Sequence, residues 1–208
     1  MSRIEQIGDA TLYLGDCREI LPTLDFDVVV SDPPYPDYLA DEYSFDAARV
    51  PSIPINKGMI FWSSKCDFPL EHSAVHIWDK KTGCGSEYER IFEIGGAKNF
   101  KVFRHYFINS TVAASFTGDV FTGHKSQKPI GLMLDVVAHI SDIDQTILDP
   151  FMGSGSSGVA CLRLGRSFIG IEQNPKWFDV ACKRIAKAHS QPDMFIAPPV
   201  KATQEALL

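Results

Sequence analysis

No run of about 18 apolar residues occurs in this 208-residue chain, which argues against a membrane span. The opening Met1-Ser2-Arg3-Ile4-Glu5 has no apolar core of the kind a signal peptide needs. Cysteine is sparse: Cys17, Cys66, Cys84, Cys161 and Cys182 make an odd five, with no C-x-x-C pair. That pattern argues against a disulfide frame or a zinc site and for free thiols in a reducing cytoplasm. The six histidines lack metal-ligand spacing, so no metal is expected. Internal repeats and low-complexity segments are absent. What remains, 45% hydrophobic and 22% charged, suits one soluble domain with its own core.

Basic residues are also scarce. The net charge of −6 argues by itself against a nucleic-acid binder. The distribution alters that reading. Residues 25–48 carry seven acids and no Lys or Arg, whereas residues 95–129 carry five bases and one acid. Lys98, Lys101, Arg104, Lys125 and Lys128 could form a local face for phosphates on an acidic protein.

Short apolar runs alternate with helical patterns, which predicts an α/β fold with a mostly parallel sheet. The expected strands are Thr11–Leu14, Phe26–Ser31, Met59–Ser63, Ala74–Trp78, Glu89–Ile94, Thr146–Leu148 and Ser167–Ile171. The expected helices are Cys17–Leu21, Ile130–Ile140, Gly158–Leu164 and Pro175–Ala188. Asn174 and Pro175 suit the start of the last helix. Residues 36–57 read as a mobile loop, and 95–123 as loop or irregular β.

Two segments carry chemistry. Asp32-Pro33-Pro34-Tyr35 ends a buried-strand pattern. A carboxylate, two prolines and an aromatic ring there can grip a planar amino group and stack on the ring that bears it. The second segment, Thr146 to Ser157, reads as strand, glycine-rich turn and helix, where doubly wound sheets bind nucleotides. Gly153 and Gly155 would let backbone approach a ligand closely. No Gly-Lys-Ser/Thr follows, so this is not a P-loop. Gly153, Gly155 and Gly158 do satisfy G-x-G-x-x-G, which keeps a dinucleotide enzyme among the alternatives. Asp149 immediately before the glycines would repel a pyrophosphate and attract a cation. An uncharged nucleoside with a positive end, such as S-adenosylmethionine, fits better. Glu172, ending the next strand, can hold its ribose hydroxyls.

With these motifs the chain resembles the amino-directed DNA methyltransferases that make N6-methyladenine or N4-methylcytosine. The order, D-P-P-Y first and cofactor turn later, is that of their β class. Leu14-Gly15-Asp16-Cys17, Gln127-Lys128-Pro129 and the Trp78-Asp79-Lys80 strand are similar to further family segments. Ser156-Ser157 stands where Thr is frequent, and Lys125 where Pro is usual.

The resemblance implies a Rossmann-like fold with a seven-stranded, mostly parallel sheet, one antiparallel strand and circularly permuted motifs. It implies a single methyltransferase domain over residues 1–190, a target-recognition insert at about 95–123 and a C-terminal tail at 191–208. Asp32, Pro33, Pro34 and Tyr35 would be catalytic. Asp16, Cys17, Asp32, Lys128, Asp149, Phe151, Gly153, Gly155, Ser156, Glu172 and Asn174 would hold S-adenosylmethionine. Lys98, Lys101, Arg104 and Lys125 would meet DNA, from which the target adenine is flipped out. Asp32, rather than Ser, favours adenine. N4-cytosine methylation and a non-catalytic DNA-binding module are the alternatives. Cytosine C5 chemistry is excluded, because no cysteine follows a proline. A cytoplasmic setting in a bacterial or phage-infected cell, with or without a restriction partner, is expected. Monomer and homodimer both stay open.

Overall fold

The computed structural model describes residues 3–34, 53–81, 88–96, 99–108, 110–115 and 117–191. Tyr35, the 36–52 part of the expected loop, Cys84, Lys98 and the tail from 192 lie outside the described residues.

One nine-stranded sheet organises the described residues. Its strands are β1 (Arg3–Ile7), β2 (Ala10–Leu14), β3 (Val28–Ser31), β4 (Gly58–Trp62), β5 (Ala74–Asp79), β6 (Tyr88–Ile94), β7 (Val102–Arg104), β8 (Thr146–Asp149) and β9 (Ser167–Glu172). The order across the sheet is β1-β2-β9-β8-β3-β4-β6-β5-β7. All strands run one way except β1 and β6. All seven expected strands are present; the expected count is corrected by two more, β1 and β7, and the expected single antiparallel strand by β1 beside β6. β1 and β7 are edge strands. The alternating Arg3-Ile4-Glu5-Gln6-Ile7 is largely exposed, and charged edges discourage pairing with other chains.

The helices are α1 (Cys17–Ile20), α2 (Thr111–Ser115), α3 (Ile130–Ile140), α4 (Ser156–Arg163) and α5 (Pro175–Ser190). The sequence did not predict α2. Central strands are buried on both faces, and their side chains alternate between two cores. Val28, Val30, Met59 and Phe61 join the α3, α4 and α5 side chains on one face. Val29, Ile60, Trp62 and Leu148 face the other, with Cys17, Leu21 and Ile53. Asp16 caps α1 by accepting from the Arg18 N–H, and Asn174 caps α5 by accepting from the Lys176 N–H.

This winding fixes the site. From β8 the chain passes through α4 to β9 on one side; from β3 it goes to β4 on the other. The carboxyl ends of β3 and β8 therefore flank a topological switch point, where a crevice opens above the sheet.

Candidate active site

A cavity occupies that switch point. Asp32, Pro33 and Pro34 line it from the end of β3, and Asp149 and Phe151 from the end of β8. Gly15 and Cys17 follow β2, Glu172 ends β9, and Lys125 and Lys128 precede α3. Gly153 and Ser156 complete the wall. Residues far apart in sequence thus meet because four parallel strands end side by side.

Asp149 is buried, and its acceptor capacity is mostly used inside the fold. Ser31 Oγ donates to Oδ1 at 2.8 Å, the Phe151 N–H to the same oxygen at 3.1 Å, and Ser157 Oγ to Oδ2 at 2.6 Å. Burial pushes its carboxyl up to about 6, against the lowering effect of those donors, and Asp32 adds a further rise. Asp149 therefore braces the turn while giving the cavity floor negative charge. Glu172 accepts from the Gly153 N–H at 3.0 Å and the Asn174 N–H at 2.8 Å. Burial raises it too, and the backbone donors oppose that rise. Each oxygen keeps acceptor capacity for a ligand hydroxyl.

Lys128 donates from Nζ to Asp32 Oδ2. It also stands 3.4 Å from Glu89 Oε2, with only 7% of its side chain exposed. Burial lowers its hold on the proton, but Asp32 and Glu89 outweigh that and raise it above the usual lysine value. Its charge is consumed locally, so it leaves little positive potential for an anion. His124 lines the same cavity, in edge contact with Trp177 at 4.6 Å between ring centres. Burial, then Lys128 and Arg184, push it down to about 4, so it is neutral at neutral pH. Its buried Nδ1 has no hydrogen-bond partner among the described residues. The sequence offered no sign of this role for His124, because its setting comes from the fold.

Three carboxylates against two lysines, Lys128 locally paired, and a neutral histidine suit a cationic, hydroxyl-bearing ligand. They do not suit a pyrophosphate. Gly153 has a φ of +51°, and a Cβ there would meet only the His124 ring at 3.1 Å, so this turn presents bare backbone to the cavity. Those features fit S-adenosylmethionine.

Several expected site residues have work within the fold itself. Gly155 has a φ of +78°, and a Cβ there would lie 2.9 Å from Ala181 Cβ. Helix packing against α5, rather than ligand approach, requires this glycine. Asn174 acts as the α5 cap. The Asp16 carboxylate caps α1 and pairs with Arg18 at 2.6 Å, while its neighbours Gly15 and Cys17 face the cavity. Ser156 Oγ donates to the Lys128 carbonyl at 2.8 Å, which ties α4 to the segment before α3.

The expected DNA-contacting bases separate. Lys125 is at the cavity. Arg104 ends β7 beside Asp79, 3.7 Å away, at the same carboxyl-end edge of the sheet. Lys101 precedes β7 at the opposite end of that strand, with Nζ 2.6 Å from His139 Nδ1. The structure does not bring Lys101 to the site.

His76, Glu93 and His139 cluster there, with ligand atoms within 4.8 Å of one another. The Lys101 N–H donates to His76 Nδ1 at 3.1 Å. The proton of the neutral ring must then sit on Nε2, which faces Glu93 Oε2 at 2.7 Å. The cluster is a hydrogen-bond network in which two histidines satisfy a buried carboxylate. Trp78 is wholly buried and donates to the His105 carbonyl at 2.9 Å, which makes it core rather than a base-stacking platform.

The chain is similar to several known proteins. The N6/N4 methyltransferase family model, described as DNA methylase, matches residues 55–183. The Type II methyltransferase M.HinfI of Haemophilus influenzae is 40% identical over 70 residues, 34% of this chain and 20% of that protein. M2.LlaDCHI of Lactococcus lactis subsp. cremoris is 36% identical over 107 residues, 43% of this chain and 39% of that protein. The chain thus spans well under half of the curated relatives it matches. Among solved structures, the M1.HpyAVI–SAM complex superposes with a TM-score of 0.57 at 22% identity, covering 85% of this chain and 98% of that one. The PvuII DNA methyltransferase (cytosine-N4-specific) gives 0.64 at 12% identity, covering 89% and 93%. With its family model spanning most of the sheet and its parallel strand ends gathered on one cavity, the chain belongs to the N6/N4 DNA methylase family.

Proposed function

We propose that the protein transfers a methyl group from S-adenosylmethionine to the exocyclic amino nitrogen of a DNA base, with N6 of adenine as the favoured acceptor. The observation that carries this reading is the meeting of Asp32-Pro33-Pro34 with Asp149 and Glu172 around one cavity. S-adenosylmethionine, when bound, supplies a methyl group on a positively charged sulfur.

The chain's own residues would act by binding and orientation. Glu172 accepts the ribose hydroxyls, and Asp149 provides negative charge for the cationic end. Asp32 Oδ and the Pro33 carbonyl each accept one amino N–H. The amino nitrogen is a poor nucleophile while its lone pair is delocalised into the ring. Two acceptors draw it toward tetrahedral geometry and aim the lone pair. Positioning and fixed charge would supply most of the acceleration. Pro33 and Pro34 stiffen this backbone and add no competing N–H. Tyr35, outside the described residues, would stack on the flipped base.

DNA would approach from the rim that holds Lys125 and Arg104. The recognition insert is assigned to residues 95–123, which include β7 and α2. A second reading, cytosine N4, is supported by the cytosine-N4 specificity of the PvuII methyltransferase, which shares the fold. The clamp would grip an amino group common to both bases. The test is to incubate the full chain with S-adenosylmethionine and mixed-sequence DNA, then identify nucleosides by mass spectrometry. N6-methyldeoxyadenosine supports the main reading and N4-methyldeoxycytidine the second. Absence of both contradicts the function.

A further inference from the structure

Behind Asp32 lies a row of four alternating charges. Lys128 on the segment before α3 bonds Asp32 Oδ2, and it stands 3.4 Å from Glu89 Oε2 on β6. Glu89 Oε1 accepts from Lys80 Nζ at 2.7 Å, just after β5. The side chains of Lys128, Lys80 and Glu89 are 7%, 10% and 15% exposed. Aromatic faces bed the cations: Lys128 Nζ lies 5.0 Å from the Phe61 ring centre, and Lys80 Nζ 5.0 Å from that of Phe107. The row sums to zero charge, which is what a buried ionic group requires.

One atom in it is unusual. Glu89 Oε2 is buried, and the Lys128 ammonium 3.4 Å away pairs with it by charge without the geometry of a full hydrogen bond. Such an acceptor is costly unless something comes to use it. The nearby donor is Lys128, now turned to Asp32. Shortening 3.4 Å to the ~2.8 Å of a charge-assisted bond needs a small swing of the ammonium.

We propose that Glu89, held by Lys80, is the alternate seat for the Lys128 ammonium, so that Lys128 anchors Asp32 in the resting protein and shifts to Glu89 when an incoming amino group takes the Asp32 carboxylate. Glu89 and Lys80 are thus positioning residues that act on the clamp through Lys128. This inference rests on the amino-group clamp proposed above. Without the second seat, the amino group would compete with a full positive charge for the same carboxylate. With it, the charge steps aside and the cluster stays neutral. The other titratable groups facing the row are Asp149 on β8 and His124 before α3, and His124 is neutral at neutral pH.

The test combines two readouts on the full chain. Carbon-13 NMR of the Asp32 carboxyl, without DNA or cofactor, follows its titration in the unmodified protein, Glu89→Gln and Lys128→Met. Removing the Glu89 charge leaves Lys128 wholly to Asp32, so the midpoint moves to lower pH. Removing Lys128 moves it to higher pH. Methyl transfer is measured in parallel. Glu89→Gln should lower kcat on the order of ten- to a hundredfold, as expected for an outer-shell partner, with S-adenosylmethionine affinity within severalfold. Glu89→Asp should restore part of kcat. Shifts in the same direction, or none, overturn the row. Opposite shifts with kcat unchanged in Glu89→Gln overturn the alternate seat. Opposite shifts in a protein whose unmodified form transfers no methyl group would leave the resting anchor standing and defeat the proposed function. Should Lys128→Met not fold, the isosteric Glu89→Gln alone decides, through the sign of its shift.

Discussion

Replacing Asp149 by Asn should stabilise the protein while weakening its cofactor site. The carboxyl is buried, and its value in the fold is raised from 3.8 to about 6. An acid raised in this way favours its protonated form in the folded state. Its contribution is therefore fully present below about pH 4 and lost as pH rises through about 6. The rise corresponds to about 3 kcal/mol against the fold at pH 8. Asn removes the charge and keeps an acceptor for Ser31 and the Phe151 N–H. Ser157 must turn its hydroxyl round, which forfeits about 1 kcal/mol of charge-assisted bonding. The net gain is about 2 kcal/mol, or a Tm rise of roughly 4–8 °C at pH 8 for a domain of this size. Thermal melts between pH 4.5 and 8 should show the gain growing with pH. Calorimetry should show S-adenosylmethionine affinity falling tenfold or more. A lower Tm at pH 8, or a gain that ignores pH, would refute this reading of Asp149.

Other outcomes follow from the same geometry. Gly155→Ala, strained at φ +78° and pressed on Ala181, should destabilise by about 2 kcal/mol in a denaturant melt. Gly153→Ala, also at positive φ and pressed on the His124 ring, should both destabilise and weaken S-adenosylmethionine binding, because its added methyl lies at the cavity wall. Lys125→Ala and Arg104→Ala should each weaken DNA binding and reduce its salt slope by about one, whereas Lys101→Ala should leave both nearly unchanged in a titration against salt. Zinc or a chelator should leave the Tm unmoved, because the Lys101 N–H fixes the proton on His76 Nε2. A zinc-dependent rise would undo that assignment.

The sequence carried the central strands because Val28, Val29 and Val30 make a short, β-branched, continuously apolar run, which suits a strand buried on both faces. It missed β1 and β7 because both lie at sheet edges, one half polar and the other three residues long. The direction of β6 is not written in its residues; only pairing with β4 and β5 reveals it. The D-P-P motif and the 149–155 turn were legible because their chemistry is local. Whether Gly155 serves a ligand or a helix was not, since the deciding neighbour, Ala181, arrives by folding. Lys101 and Arg104 look equivalent in sequence, yet one precedes β7 and the other ends it, which puts them at opposite ends of one edge strand. Glu89 sits in a mixed strand with nothing to mark it until Lys128 is placed beside it.

The central claim is that Asp32 grips the amino group that receives the methyl. Asp32→Ala tests it most directly, with methylated nucleosides measured by mass spectrometry and S-adenosylmethionine affinity by calorimetry. Methylation should disappear while affinity stays within severalfold. Methylation that persists in this variant, with DNA and cofactor otherwise as in the unmodified protein, would contradict it.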